Sequence, residues 1–179
     1  QEATPNKTKP PITNRRERWE VEQRERFGDL EIDLIIGKNH KGAILTINDR
    51  ATGVGKLRKL ESKDAEQLAI ATIDCLMEWK PFLKTITSDN GKEFAAHQMM
   101  AQQLNIDFFF AKPYASWQRV SNENHNRLVR QYIPKKTDFD CISQDYINFV
   151  EKQINNRPRK RFNYESPIFM FNQKVAFST

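Results

Sequence analysis

Three acidic residues, Asp33, Asp89 and Glu123, stand where their carboxylates could act together. Asp33 interrupts an apolar run, and a carboxylate in such a run destabilises a fold unless it is paired, hydrogen-bonded or bound to a cation. Asp89 ends a short apolar segment before an Asn-Gly turn, and Glu123 follows after 33 intervening residues. Ligands of open α/β sheets usually bind where strands end. The three side chains therefore form a candidate ligand set.

Converging carboxylates favour hard divalent cations, Mg²⁺ or Mn²⁺. Two such ions about 3.5–4 Å apart can activate an attacking oxygen and stabilise the leaving oxygen of an in-line phosphoryl displacement. A site of this kind needs no nucleophilic side chain. The spacing alone leaves a second interpretation open, because ordinary surface carboxylates are also common on strands, turns and helices.

Hydrophobic periodicity predicts the elements that position these residues. Alternation along the segment 30–36 makes it a strand, with Ile32 and Leu34 on one face and Glu31 and Asp33 on the other. We predict further strands over residues 43–47, 54–60, 84–88 and 106–111, and helices over 63–78 (with Ser62 as N-cap), 94–104, 120–132 and 143–155. A strand meander followed by alternating helices and strands indicates an α/β layer arrangement.

The length of 179 residues and the hydrophobic fraction of 38% fit one buried core. We interpret residues 1–26, which are polar and contain three prolines, as an arm or linker, and residues 27–179 as the core domain. No apolar run approaches the roughly 20 residues of a spanning helix, and no signal peptide is evident. We therefore expect a cytoplasmic protein, in which Cys75 and Cys141 have no metal or disulfide role.

The net charge of +6 is concentrated in one segment. Residues 112–161 contain 11 Lys and Arg against 5 Asp and Glu, while the rest of the chain has 18 of each. A local basic surplus is typical of a polyphosphate binder, although a solvated helix face has the same composition. The candidate nucleic-acid contacts are Asn90 and Lys92 beside Asp89, and Lys112, Arg119, Arg127, Arg130, Arg157, Arg159, Lys160 and Arg161 in the basic segment.

Several motifs occur in a fixed order: G-D-L-E-I-D-L-I-I-G-K at 28–38, T-S-D-N-G-K-E-F at 87–94, P-Y-A-S-W-Q-R at 113–119, N-E-N at 122–124, and N-N-R-P-R-K-R at 155–161. Together they resemble the integrase core of the IS-thirty family of bacterial insertion-sequence transposases, over roughly residues 27–172. The resemblance implies a ribonuclease-H-like fold, shared with retroviral integrases, whose five-stranded mixed sheet is flanked by helices. It assigns the family's DDE triad to Asp33, Asp89 and Glu123.

The resemblance also implies an activity. Such an enzyme would use Mg²⁺ or Mn²⁺, with two ions, to cleave DNA at a transposon end and join the freed 3′-hydroxyl to target DNA. It would work as a dimer or a larger oligomer, with no membrane partner, in the cytoplasm of a bacterium near the nucleoid. The helix-turn-helix region upstream in such transposases is not in this sequence, so we interpret the chain as a fragment.

The chain departs from the family pattern at Val120, where a glycine is usual between arginine and threonine. A β-branched valine avoids the positive φ that glycine permits, so we expect either an earlier helix start or an altered loop. Glu31 shares a strand face with Asp33, and we predict that it supports the site without ligating metal. Two alternative functions stay open: a host nuclease of the same fold that cleaves without joining, and a non-catalytic core that binds DNA.

Overall fold

The computed structural model describes residues 23, 25–62, 64–111 and 120–177, which contain a five-stranded sheet with helices on both faces. The strands are β1 (Asp29–Ile36), β2 (Ala43–Asp49), β3 (Gly55–Leu60), β4 (Thr85–Ser88) and β5 (Asp107–Phe110). Their spatial order is β3-β2-β1-β4-β5. The β1–β2 and β2–β3 pairs are antiparallel, and the β1–β4 and β4–β5 pairs are parallel. The predicted mixed sheet is therefore confirmed.

The α-helices of the described ranges are α1 (Ala65–Leu76), α2 (His97–Leu104), α3 (Val120–Tyr132), α4 (Gln144–Asn156) and α5 (Pro167–Ala176). Alternation along the strands builds a separate core on each face of the sheet. Ile32 and Leu45 pack with residues of α1 and α2, and Ile35 and Ile44 pack with residues of α3 and α4. The predicted division of the β1 side chains between the two faces of the sheet is confirmed. Glu31 and Asp33 lie on the face that α3 covers.

Side chains of α4 bind the outer backbone of the edge strand β3. The Asn155 amide accepts from the Gly55 N–H at 2.8 Å and donates to the Gly55 carbonyl at 2.8 Å. Glu151 Oε2 accepts from the Leu57 N–H at 2.6 Å, and Gln144 bonds the Leu57 carbonyl and the Lys59 N–H. These three residues project from one face of α4 because they are separated by seven and four positions. Helix α4 is therefore fastened to the sheet through polar contacts as well as through its core.

The prediction of Ser62 as the N-cap of α1 is wrong. Helix α1 begins at Ala65, and the carboxylate of Asp64 accepts a hydrogen bond from the Gln67 N–H at 3.1 Å. Ser62 Oγ instead accepts from the Asp64 N–H at 3.2 Å. Ser and Asp cap helices about equally well, so their order along the chain could not be decided from residue type.

One further helix start and the last helix of the fold also differ from the predictions. The helix predicted over 94–104 begins later, since Lys92–Phe94 form a 3₁₀ helix and α2 starts at His97. Helix α5 was not predicted, although Ser166 caps it and Pro167 occupies its first turn, which is a common arrangement at helix starts. Most of the predicted arm, residues 1–26, lies outside the described residues. In the whole described part of the chain, no helix is both long enough and apolar enough to cross a bilayer.

Candidate catalytic site

Asp33 and Asp89 belong to neighbouring parallel strands and lie level with each other. The β1–β4 register pairs Asp29 with Thr85 and Glu31 with Thr87. The same offset, continued by two residues, places Asp89 opposite Asp33. Asp89 directly follows the last residue of β4, and both aspartates are partly exposed. The register therefore sets the two residues at adjacent strand positions, and Asp89 stands at the C-terminal end of β4, where α/β sheets usually bind ligands.

Hydrogen bonds orient both carboxylates. The Leu34 N–H donates to Asp33 Oδ1 at 2.9 Å, and the side-chain amide of Asn126 on α3 donates to Asp33 Oδ2 at 3.0 Å. The Gly91 N–H donates to Asp89 Oδ1 at 3.1 Å, which closes the turn after β4. Each aspartate is thus held by a local backbone donor, and Asp33 also by the neighbouring helix.

Glu123 lies in the first turn of α3 and is exposed. Residues three positions apart share a helix face, so the contact of Asn126 with Asp33 places Glu123 on the α3 face nearest β1. Among the described residues, no three His, Cys, Asp or Glu side chains are grouped closely enough to hold a metal ion. The oxygen donors are of the kind that Mg²⁺ prefers, and a complete ligand set requires the Glu123 side chain to turn toward Asp33.

Glu31 joins β1 to the start of α3. Its Oε2 accepts from the backbone N–H of Asn122 at 2.7 Å, and its Oε1 lies 2.8 Å from Arg50 Nε. Glu31 and Arg50 are both buried, so this is an internal ion pair. A carboxylate at a helix N-terminus is also favoured by the helix dipole. Because Asn122 immediately precedes Glu123, the contact fixes the backbone that carries Glu123.

Sequence reasoning missed two residues that position the site. Asn126 could have been found, because it follows Glu123 by three positions and must share its helix face. The sequence does not indicate a positioning role for Arg50, because the residue follows Asp49 in a polar segment typical of a turn. Asp49, the last residue of β2, accepts from the Gly28 and Thr52 N–H groups.

Several predicted nucleic-acid contacts are engaged within the fold. Arg130 donates to the carbonyls of Ile36 and Pro134 at 3.2 and 3.1 Å, and burial lowers the pKa of its guanidinium. Arg157 donates to Gln131 Oε1, and Arg159 to the Ile154 carbonyl. Arg161 donates to the Arg50 carbonyl at 3.5 Å, although it is exposed, as are Asn90, Lys92, Arg127 and Lys160. Lys112 and Arg119 lie outside the described residues.

His125, on the buried side of α3, packs against β3 at Gly55, where a Cβ atom would overlap the imidazole ring. Burial, with a smaller contribution from the charge of Arg159, lowers the pKa of His125 to about 4. An unfolded histidine has a pKa of about 6.5. The folded state therefore prefers the neutral ring, and its stabilising effect is complete above pH 6.5 and is lost as the pH falls toward 4.

We expect the free energy of unfolding to fall by about 3 kcal/mol more between pH 7 and pH 4 in the wild type than in His125→Asn. Urea denaturation in EDTA at both pH values measures this difference. His40→Asn is the matched control, because His40 is exposed, and it should retain the wild-type pH dependence. An unchanged dependence in His125→Asn would contradict the assignment.

Comparison with solved structures identifies the fold. The chain superimposes on the catalytic core domain of BIV integrase with a TM-score of 0.66 at 16% identity, covering 84% of this chain and 97% of that one. The described fold is therefore that of a retroviral integrase catalytic core, which is ribonuclease-H-like, as the sequence motifs predict. No protein-family model matches the chain.

The sequence relatives narrow the class to a family. The transposase of insertion sequence element IS4351 from Bacteroides fragilis is 56% identical over 164 residues, 89% of this chain and 50% of the relative. InsI, the transposase of insertion sequence element IS30C from Escherichia coli K12, is 33% identical over 159 residues, 88% of this chain and 41% of the relative. Over the matched region the chain belongs to the IS-thirty family of insertion-sequence transposases. It spans about half the length of these relatives or less.

Proposed function

We propose that this chain is the catalytic domain of a metal-dependent DNA transposase, with residues 27–179 as the catalytic core and residues 1–26 as an arm. The observation that carries the proposal is the docking of α3 onto β1. The Asn126 amide binds Asp33 and the Glu31 carboxylate binds the Asn122 N–H, and these two contacts support a role for Glu123 together with Asp33 and Asp89. The names of the sequence relatives, which are insertion-sequence transposases, support the same reaction class.

The proposed reaction consists of two in-line displacements at one site. Water first attacks a phosphodiester at a transposon end, and the P–O bond to the 3′ oxygen breaks to leave a free 3′-hydroxyl. That hydroxyl then attacks a target phosphodiester, so one P–O bond forms as another breaks. Mg²⁺ or Mn²⁺, as two ions, would activate the attacking oxygen and neutralise charge on the leaving oxygen when bound by the triad.

The residues of this chain have separate tasks in that scheme. Asp33, Asp89 and Glu123 hold the ions, and Asn126 keeps the Asp33 carboxylate in one orientation. Exposed Arg127 and Lys92 contact DNA phosphates. The partners are the transposon ends and the target DNA, which implies at least two copies of the chain in the active complex. We place the reaction in the bacterial cytoplasm, where the nucleoid lies.

A strand-joining assay tests the proposal. The substrate is a pre-cut transposon end with a free 3′-hydroxyl, taken from the terminal repeat of the parent element and mixed with a plasmid target. We expect joined product in Mg²⁺ or Mn²⁺ and none in EDTA. Cleavage without joining would indicate a nuclease of the same fold, and DNA binding with neither product would indicate a non-catalytic core; either outcome contradicts the proposal.

A further inference from the structure

A pocket of about 270 Å³ lies beside α3, bounded by the β2–β3 turn and by the segment that follows α4. The α3 residues that line it include Ser121 and His125, whereas Asn126 and Arg130 of the same helix reach β1. Successive helix residues are rotated by about 100°, so these two sets point to different flanks of α3. The pocket is therefore separate from the triad, with α3 between them.

Three lining residues present buried polar atoms with no hydrogen-bond partner in the described structure. They are Asn48 Nδ2, Ser121 Oγ and His125 Nε2. Each of these residues is at least nine-tenths buried. Buried polar groups are nearly always satisfied, and leaving one without a partner destabilises a fold by about 1–3 kcal/mol. Three such groups around one cavity indicate that it is built to hold a polar ligand.

The charged residues around the pocket indicate that the ligand is negatively charged. Arg127, Arg159, Lys160 and Arg161 line it, and its described lining contains no Asp or Glu. Arg159 is half-buried, and burial together with the charges of Arg157 and Arg161 lowers its pKa to about 10. Water would satisfy the three polar atoms but would not balance the positive charge of the lining side chains. An anion that accepts several hydrogen bonds satisfies both requirements.

We propose that this pocket binds a phosphate group of the DNA backbone, on the opposite flank of α3 from the reacting phosphate. Phosphate oxygens accept hydrogen bonds from hydroxyl, amide and guanidinium donors, and such contacts fix the register of a protein on DNA. With side chains a helix is about 10–12 Å across, so one strand can lie over α3 and reach both sites. The inference rests on the proposed function, because it takes DNA as the substrate.

Ser121→Ala separates a binding role from a structural one. The Ser121 hydroxyl has no partner within the described fold, so its removal should leave the free energy of unfolding equal or slightly higher. The same change should weaken binding of a fluorescent DNA duplex about tenfold in EDTA, measured by anisotropy, because a charge-assisted hydrogen bond is lost. EDTA keeps the measurement independent of catalysis.

Lys160→Gln tests the charge of the pocket. The logarithm of the affinity falls linearly with the logarithm of the salt concentration, and each lost phosphate contact makes this slope less steep by about one. Lys160→Gln should show that change. Lys80→Gln removes the same charge from an exposed residue next to Pro81, remote in sequence from the basic segment, and should leave the slope unchanged. Equal slopes in Lys160→Gln and the wild type would mean that no DNA phosphate lies beside Lys160 and would overturn the proposal.

A titration with inorganic phosphate, followed through the His125 ring resonances, distinguishes the sources of the anion. We expect phosphate to shift those resonances in the wild type and not in Ser121→Ala. If Ser121→Ala loses this response but binds DNA like the wild type, the pocket takes a free phosphate and the DNA proposal is wrong. If the wild type binds no DNA at all, both the pocket proposal and the proposed function are wrong. If the wild type binds DNA and Ser121→Ala binds it equally well, only the proposal of a DNA phosphate in the pocket is wrong.

Discussion

Replacement of Asp33 by Asn is expected to lower strand joining by at least about a thousandfold without unfolding the protein. The loss follows because the triad must stabilise charge worth several kcal/mol at the reacting phosphate, and about 1.4 kcal/mol corresponds to a factor of ten. The fold should survive because Asp33 is partly exposed and Asn retains an oxygen for the Leu34 N–H. Joining of the pre-cut end, measured alongside urea denaturation, separates the two effects.

Asp74→Asn is the matched control, since Asp74 is an exposed residue of α1 on the opposite face of the sheet. It removes the same charge and should leave joining within about twofold of the wild type, as expected for a surface change. Asp89→Asn and Glu123→Gln should each match Asp33→Asn. A Glu123→Gln variant that joins DNA at the wild-type rate would remove Glu123 from the triad.

The second large effect concerns stability. Arg50→Met should lower the free energy of unfolding by about 3–5 kcal/mol, because it leaves the Glu31 carboxylate buried without its cation. Glu31 also accepts from the Asn122 N–H, so the start of α3 should loosen as well. Urea denaturation gives the stability, and hydrogen exchange of the Asn122 amide reports the helix start.

Glu78→Gln serves as the comparison, because it removes one partner of the Lys56–Glu78 pair, in which Glu78 is 81% exposed. A surface pair of this kind contributes about 1 kcal/mol or less. The double variant Glu31→Gln with Arg50→Met removes both charges and should recover part of the stability. If Arg50→Met is no less stable than Glu78→Gln, the ion pair does not have the energetic role assigned to it.

Strand assignments came readily from the sequence because β1 alternates cleanly between two buried faces. The same alternation puts Asp33 with Glu31 on the face opposite Ile32, and α3 covers that face in the structure. Helix starts were harder, as Ser62 and Asp64 show, because both residue types cap well and only the backbone geometry chooses between them. Helix α5 was overlooked although Ser166-Pro167 is a good start signal.

The candidate site was predicted from two sources of different strength. Strand logic and the motif matches both indicate Asp33 and Asp89, and the prediction of Glu123 rests on its spacing and on the family resemblance. Neither source could reveal the Glu31–Arg50 pair, because the pair joins two separate segments of the chain, whereas the helix position of Asn126 does follow from that of Glu123. The described part of α3, Val120–Tyr132, agrees with the predicted helix over 120–132, and residues 112–119 lie outside the described residues.

The hydrogen bonds between α4 side chains and the backbone of β3 limit how copies of the chain can associate. Exposed edge strands recruit strands from other molecules through their unpaired N–H and carbonyl groups. On β3 the groups of Gly55 and Leu57 and the Lys59 N–H are already bonded to side chains of α4. The sheet is closed to a sixth strand on that side. In the proposed complex, copies of the chain would therefore not associate by extending the sheet past β3.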